Sequence, residues 1–393
     1  MSDKIFDIIL IGATGFTGRR AAKYLKEHAP ELNIGIAARN ESRLSSLASQ
    51  LGYSTSSTFV VDTLNKETVD KVAAIAKVII STAGPFSLYG EQVIASCVEH
   101  GTHYLDITGE VDFIKSMMNK YGDLAVKNKC LLIPFSGFDS VPADIATYLI
   151  SKKFENPETL QIKAYYKTKG GLNGGTIASM LNKFEAGDSK NSRNPRLIMQ
   201  ENGQKLAPPK GAHAFGYNSD INRWSAPFIM GAINSKVVYR SASLWKDLGS
   251  PYAASISYSE HSSFGKWYNP FSFIALSTLL ISLQLLGPFA WFRALIKKVA
   301  PNPGEGPSEH SIENGFFSLK AIAKDGIKDY KTLSMYYPGD PSNKATVFFL
   351  CESALTLVQN LDDLPHRFGF LTSTTALGEP LINRLETKGL IIS

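Results

Sequence analysis

The sequence predicts an α/β protein: a doubly wound parallel sheet, then a second, α+β domain carrying an apolar segment of membrane length. Three observations lead there. Short apolar runs alternate with helix-length amphipathic stretches from Asp7 to about Phe135, as in βαβ units. A glycine-rich turn follows the first of these runs. Beyond Asp139 the alternation weakens, and Pro270 to Phe292 holds no charged side chain.

Six strands follow from the first pattern: Asp7 to Ile11, Asn33 to Ala37, Thr58 to Val61, Lys77 to Ser81, His103 to Ile107 and Cys130 to Pro134. The second domain should begin with a helix from Val141 to Phe154, continue with a strand from Leu160 to Lys167, and reach another helix through GGLNGGT. The polar, Pro-, Gly- and Asn-rich stretch Asn191 to Asn222 reads as a loop or lid. Strands at Gly315–Ala323 and Thr332–Tyr337 can close the second sheet, and helices at Ala345–Leu357 and Thr375–Lys388 can pack back on the first domain. The boundaries expected are 1–140, 141–344 and 345–393.

Composition narrows the classes. A chain of 393 residues exceeds one usual core, so two packed units sharing a crevice are expected. With 44% hydrophobic and 19% charged residues the chain is too apolar for disorder. A net charge of +6 without a Lys/Arg block argues against nucleic acid, while anionic cofactors and lipid headgroups stay open. Cys97, Cys130 and Cys351 lie far apart without a CxxC or zinc-like His spacing, which predicts free thiols, no metal and a reducing compartment. The N-terminal MSDKIFDIIL lacks the basic region and cleavage site of a signal peptide, so a cytosol-facing protein is expected.

The turn in DIILIGATGFTGRR places Gly12, Gly15 and Gly18 between a strand and a helix, the arrangement of a Rossmann dinucleotide site. Glycine removes the Cβ that would meet the pyrophosphate, and the amides of the helix start, Phe16 among them, can bind its charge. Thr14 and Thr17 can add hydroxyl donors. An NAD site needs an acid at the end of the second strand, but here Ala38, Arg39 and Asn40 stand there. Arg39 and Arg43 instead suit a ribose 2′-phosphate, so the cofactor expected is NADP(H). Asp62 either accepts from the adenine amino group or caps the next helix. Ser81, Thr82, Ala83, Gly84 and Pro85 end the fourth strand in small residues, which let the backbone approach the nicotinamide ribose.

With GATGFTG, AAR, STAGPFSLYG, GTHYLDITGE and GFDSVPAD in that order, the chain resembles the saccharopine dehydrogenase-like oxidoreductases, including the trans-acting enoyl reductases of lipid biosynthesis. The specific part covers Asp7 to Asp144, with weaker echoes at GGTIASM, GPSE and TSTTALGEPLINRL. The resemblance implies a nicotinamide cofactor, a Rossmann domain and a smaller substrate domain, and animal members of similar layout are associated with lipid droplets. Saccharopine dehydrogenase activity itself is not implied, since the second domain shows no cationic cluster suited to a tricarboxylate amino acid.

Hydride transfer asks the protein for orientation and for a proton or hydrogen-bond donor. Tyr89, His103, Tyr104 and Asp106 near the fourth and fifth strand ends, and Asp139 and Ser140 after the sixth, are the candidates; Tyr104 and Asp139 are preferred as catalytic groups. Asp139 or Ser140 before Val-Pro-Ala equally suits a helix N-cap. Tyr-x-x-x-Lys occurs at both Tyr148/Lys152 and Tyr165/Lys169, neither in the topological place of a short-chain dehydrogenase pair.

The apolar stretch is interrupted by Gly287 and Pro288, followed by Phe289, Trp291 and Phe292, and ended by Arg293, Lys297 and Lys298. A kinked or hairpin insertion into one leaflet or a lipid droplet surface fits 270–298 better than a straight span; a buried helix at a homodimer interface is the alternative. Two readings result. One is an NADPH-dependent reductase of lipid-like enoyl or keto substrates at a membrane or droplet surface; the other is a non-catalytic lipid-surface protein retaining a dinucleotide module.

Overall fold

The computed structural model describes residues 4–155, 157–186, 194–200, 205–206, 215–246, 249, 252–266, 269–302, 304–326 and 329–393. Their strands are Phe6–Ile11 (β1), Ile34–Ala38 (β2), Thr58–Val60 (β3), Ala76–Ser81 (β4), His103–Asp106 (β5), Leu131–Ile133 (β6), Thr159–Lys169 (β7), Lys205–Leu206 (β8), Gly216–Asn218 (β9), Arg223–Pro227 (β10), Ser255–Ser263 (β11), Phe316–Asp325 (β12), Asp329–Pro338 (β13), Gly369–Phe370 (β14) and Ile391–Ile392 (β15).

The first sheet runs β14-β6-β5-β4-β1-β2-β3 and its ladders are parallel. Its central strand shows why: Ile8 and Leu10 face one side and Ile9 and Ile11 the other, all buried, as a strand covered on both faces requires. The six expected strands are present within one or two residues. The seventh, β14, comes from the C-terminal segment, where Gly369 N–H donates to Cys130 O at 2.7 Å and Leu371 N–H to Leu132 O at 2.8 Å. Two residues carry no alternation, so this strand leaves no periodic signal in the sequence.

Helices cover both faces: Phe16–His28 (α1), Glu41–Leu51 (α2), Lys66–Ile75 (α3), Phe86–Tyr89 (α4), Glu91–Glu99 (α5), Val111–Lys127 (α6) and Val141–Ser151 (α7). The chain continues with Gly174–Ala186 (α8), Gly231–Trp245 (α9), Phe271–Leu286 (α10), Ala290–Val299 (α11), Glu309–Glu313 (α12), Thr346–Gln359 (α13) and Ser373–Thr387 (α14).

The second sheet runs β15-β13-β12-β7-β11-β10-β9, with β8 beside β11. Part of the expected loop at 191–222 lies outside the described residues, but β9 within it pairs antiparallel with β10. The correction has a local cause: the turn between them, with Asn222 at φ +52°, makes a hairpin from residues that read as loop.

One core joins the two sheets. Ile8 and Leu10 of β1 share it with Phe348, Phe349 and Leu350 of α13 and with Phe317 and Leu319 of β12. Within α13, Glu352 is fully buried, accepting from Tyr24 Oη at 2.6 Å and pairing with Arg384 Nε of α14. That pair ties both C-terminal helices to α1.

The apolar segment is corrected in one respect. It is not a single element of membrane length but α10, of 16 residues, and α11, of 10, separated at Gly287-Pro288. Among the described residues no helix is long and apolar enough to cross a membrane. Pro288 lacks the N–H to continue the ladder, and Gly287 admits Phe184 of α8, whose ring atoms lie 2.7 Å from where a Cβ would stand.

Glu352→Ala leaves Tyr24 and Arg384 without their shared acceptor. The expected loss is about 2–4 kcal/mol, read as a lower urea midpoint at unchanged slope.

Candidate active site

The strand order reverses between β1 and β4, so the chains leaving these two strands diverge and open a crevice at the carboxyl ends. Gly12 stands there at φ +85°, and a Cβ on it would lie 2.9 Å from Ala83 N; one on Gly18 would lie 2.1 Å from Gly12 O. The turn therefore tolerates no side chain at either place. Gly15 is the N-cap of the 13-residue α1 with no side-chain cap, so among the described residues no side chain caps the first-turn amides, which suit a pyrophosphate. Thr14 and Thr17 flank it, half-buried.

Phe16 offers only its backbone. Its ring is buried, with the Arg20 guanidinium 3.9 Å from the centroid and Gly306 packed against it so closely that a Cβ there would lie 2.5 Å from a ring atom. A loop of the second domain thus reaches the start of α1.

At the adenosine end, Asn40 caps α2 by accepting from Arg43 N–H at 2.9 Å, leaving Arg39 and Arg43 exposed beside the end of β2. No acid stands at this strand end, which fits a 2′-phosphate. Asp62 does not cap α3, whose cap is Asn65; its carboxylate accepts from Leu64 N–H at 3.0 Å and is exposed.

At the end of β4, Thr82 Oγ1 donates to Ile11 O at 3.1 Å, joining the two diverging strands. Thr82, Ala83 and Pro85 are partly exposed and Gly84 is exposed, whereas the Ser81 side chain is fully buried and contributes only backbone to the crevice. Glu110 accepts from Phe86 N–H at 2.8 Å and Ser87 N–H at 3.0 Å, fixing the chain after Pro85. Sequence reasoning passed over Glu110; the signal was a helix start at Phe86 lacking a capping residue of its own.

Tyr104 is corrected. Its side chain is fully buried and its hydroxyl donates to Asp106 Oδ2 at 2.8 Å, so it does not reach the crevice. The other Asp106 oxygen accepts from Thr108 N–H at 3.0 Å and Phe135 N–H at 3.1 Å, which ties β5 to the loop after β6; burial raises this carboxyl to about 6. His103 is half-buried, its ring accepts from Leu131 N–H at 3.1 Å, and desolvation of that ring lowers it to about 4. Both residues hold the sheet together.

Asp139 lies where the sequence placed it, partly exposed after β6, and burial of its carboxyl raises it to about 6. Ser140 is the N-cap of α7 but makes no side-chain cap; its hydroxyl donates to Asn234 Oδ1 of α9 at 3.1 Å. The Asn234 amide in turn donates to Glu260 Oε2 of β11 at 2.9 Å, while Tyr258 and Tyr166 hydroxyls donate to Glu260 Oε1 at 2.6 and 3.3 Å. Burial first, and then the charge of Asp139, raise Glu260 to about 8. Sequence reasoning missed Glu260: SISYSEHSS reads as a strand, and its one acid is the only signal. Among the described residues no cluster of His, Cys, Asp and Glu could hold a metal, and the three cysteines are free and buried.

Two outcomes are expected. Arg39→Ala should weaken NADPH binding about tenfold or more and leave NADH binding unchanged, as read by calorimetric titration. A carboxyl raised from 4.5 to about 8 on folding stabilises the fold fully below 4.5 and loses that contribution as pH rises to about 8. His103 acts in the opposite sense, but only between about 4 and 6.5. Thermal stability should therefore fall from pH 6.5 to 8 in the native protein, and Glu260→Gln should flatten that limb.

The saccharopine dehydrogenase NADP-binding domain matches residues 8–133. A Mycobacterium tuberculosis protein whose name assigns it to the trans-acting enoyl reductases is 30% identical, covering 98% of this chain and 96% of its own. A trans-acting enoyl reductase of Mycobacterium leprae is 27% identical over 98% of this chain and 97% of its own. Apo saccharopine dehydrogenase (L-Glu forming) of Saccharomyces cerevisiae shares the fold at a TM-score of 0.55 and 13% identity, covering 99% of both chains. Sequence and site agree on an NADP(H)-dependent oxidoreductase: the chain belongs to the saccharopine dehydrogenase-like family, with the trans-acting enoyl reductases among its relatives.

Proposed function

We propose that this oxidoreductase reduces lipid-like enoyl or keto substrates at a cytosol-facing membrane or lipid droplet surface. The observation that carries the lipid reading is the outer surface of α10 and α11. Phe271, Ile274, Leu279, Leu285, Trp291 and Val299 are each more than half exposed, an apolar strip far beyond scattered surface hydrophobics. Arg293, Lys297 and Lys298 end the strip with cations placed to meet anionic headgroups.

A reductase of this kind binds its dinucleotide through the amides of α1, Thr14 and Thr17 at the pyrophosphate and Arg39 and Arg43 at the 2′-phosphate. The bound nicotinamide supplies the hydride; the protein orients both partners and handles the proton. Thr82 to Pro85 fix the floor of the crevice beside β4, and Glu110 keeps that floor in place. The resemblance of the relatives named for enoyl reduction supports a conjugated carbonyl as acceptor. The exposed strip supports a substrate delivered from a lipid phase.

NADPH oxidation followed optically with medium-chain 2-enoyl and 3-keto thioesters should show turnover that NADH does not match. Tight NADPH binding without turnover on either class would favour the non-catalytic lipid-surface protein. Ile274→Asp, Leu279→Asp and Leu285→Asp together should abolish flotation with anionic vesicles while leaving the unfolding midpoint intact. Unchanged flotation, or a change only in oligomeric state, would instead assign the strip to a homodimer interface.

A further inference from the structure

We propose that the segment from Gly304 to Glu309, in the second domain, is a working part of the dinucleotide site. Its Gly306 and Glu309 are positioning residues: they hold Phe16 and Arg20, and so set the first turn of α1 for the pyrophosphate. The inference deepens the reductase reading. It rests on the dinucleotide placed at α1 and is independent of the acceptor.

The contacts run without a gap from this segment to the amides. Phe16 is the first residue of α1, so its N–H is one of the orphan donors at the helix start. Its ring carries the Arg20 guanidinium 3.9 Å and the Arg19 guanidinium 4.9 Å from the centroid. Arg20 Nη1 also donates to Phe16 O at 3.1 Å, and its Nη2 pairs with Glu309 of α12. A Cβ on Gly306 would lie 2.5 Å from Cζ of the ring and 2.7 and 2.9 Å from its two Cε atoms, so this glycine abuts the tip of the ring. Cζ lies on the axis about which the ring flips, and flipping therefore gives no relief. A push from Gly306 is delivered along that axis to the Phe16 backbone. The turn before it has no slack either: Gly15 N–H donates to Gly12 O at 3.0 Å, and a Cβ on Gly18 would lie 2.1 Å from that oxygen.

The segment is backed on its other side. Gly174 N–H of α8 donates to Glu305 O at 3.0 Å, and a Cβ on Gly174 would lie 2.1 Å from Asn302 O. Asn302 N–H donates to the Glu305 carboxylate at 2.9 Å. The Pro307 ring lies 3.0 Å from where a Cβ of Gly171 would stand, and Gly171 N–H donates to the Asp340 carboxylate at 2.6 Å. GPSE and GGLNGGT, two stretches without a role in the reductase reading, meet here. Clamped between α8 and α1, the segment cannot retreat from an added methyl without breaking these contacts. The Glu309 side chain is 76% exposed, so its pair orients the guanidinium more than it stabilises the fold.

Pyrophosphate is common to NADPH and NADH, whereas the 2′-phosphate at Arg39 is not. The test titrates the full chain with NADPH, NADH and adenosine 2′-phosphate, which probes the Arg39 end without a pyrophosphate. Gly306→Ala should weaken both dinucleotides alike, about fivefold or more, and leave adenosine 2′-phosphate at its native affinity. A fold merely loosened elsewhere would not separate the probes in this way. In a Phe16→Leu background, where the ring tip is gone, Gly306→Ala should cost less than about twofold. If Gly306→Ala fails to fold, Glu309→Ala should show the same pattern at about twofold. Unchanged dinucleotide affinity, or adenosine 2′-phosphate weakened in step, would overturn the positioning role, and an equal cost in both backgrounds would overturn the route through Phe16. A native chain that binds neither dinucleotide would refute the dinucleotide site itself, and this segment's part in it.

Discussion

The reversal of strand order between β1 and β4 is the constraint on which the rest of the molecule depends. It opens the crevice, and it obliges the chain to pass closely over itself there, with Gly12 against Thr82 and Ala83 and Gly18 against Gly12. Side chains at those glycines would collide with backbone, so turn geometry and phosphate binding ask for the same residues. The second domain is then set against this edge. Its loop at Gly306 covers Phe16, its α9 receives Ser140 through Asn234, and its β11 offers buried Glu260 to the same Asn234.

Much of the first domain was legible because its strands are buried on both faces and its turn residues have narrow uses. Ile8 to Ile11 could hardly be anything but a central strand, and the glycine turn follows it directly. The missing acid at Arg39 was legible for the same reason: a fixed topological position makes one residue type informative. Legibility ended where function depends on contacts distant in sequence. Tyr104 and Asp139 looked equivalent as strand-end polar residues, yet the alternation of the sheet buries Tyr104 against Asp106, while Asp139 sits partly exposed in the loop after β6. Glu260, 121 residues beyond Asp139 in the chain (260 − 139), gains its meaning only from the pairing of β11 with β7, which brings Tyr166 and Tyr258 to it.

The apolar segment shows the same division. Its composition and its Gly-Pro break foretold two pieces rather than one, and α10 and α11 are those pieces. What composition could not give is the direction of the apolar side chains. Trp224 and Phe264 take up Phe273, while Phe271, Ile274 and Leu285 point outward. A helix apolar all round can satisfy a protein contact on one face and keep another for a lipid phase.

Amide hydrogen exchange with and without NADPH tests the placement of the cofactor most directly. Protection confined to the turn at 12–18, the Arg39–Arg43 segment, the chain at 82–86 and the loop at 135–140 is the expected result. Protection absent from these four segments, or appearing only elsewhere, would contradict a dinucleotide seated in this crevice.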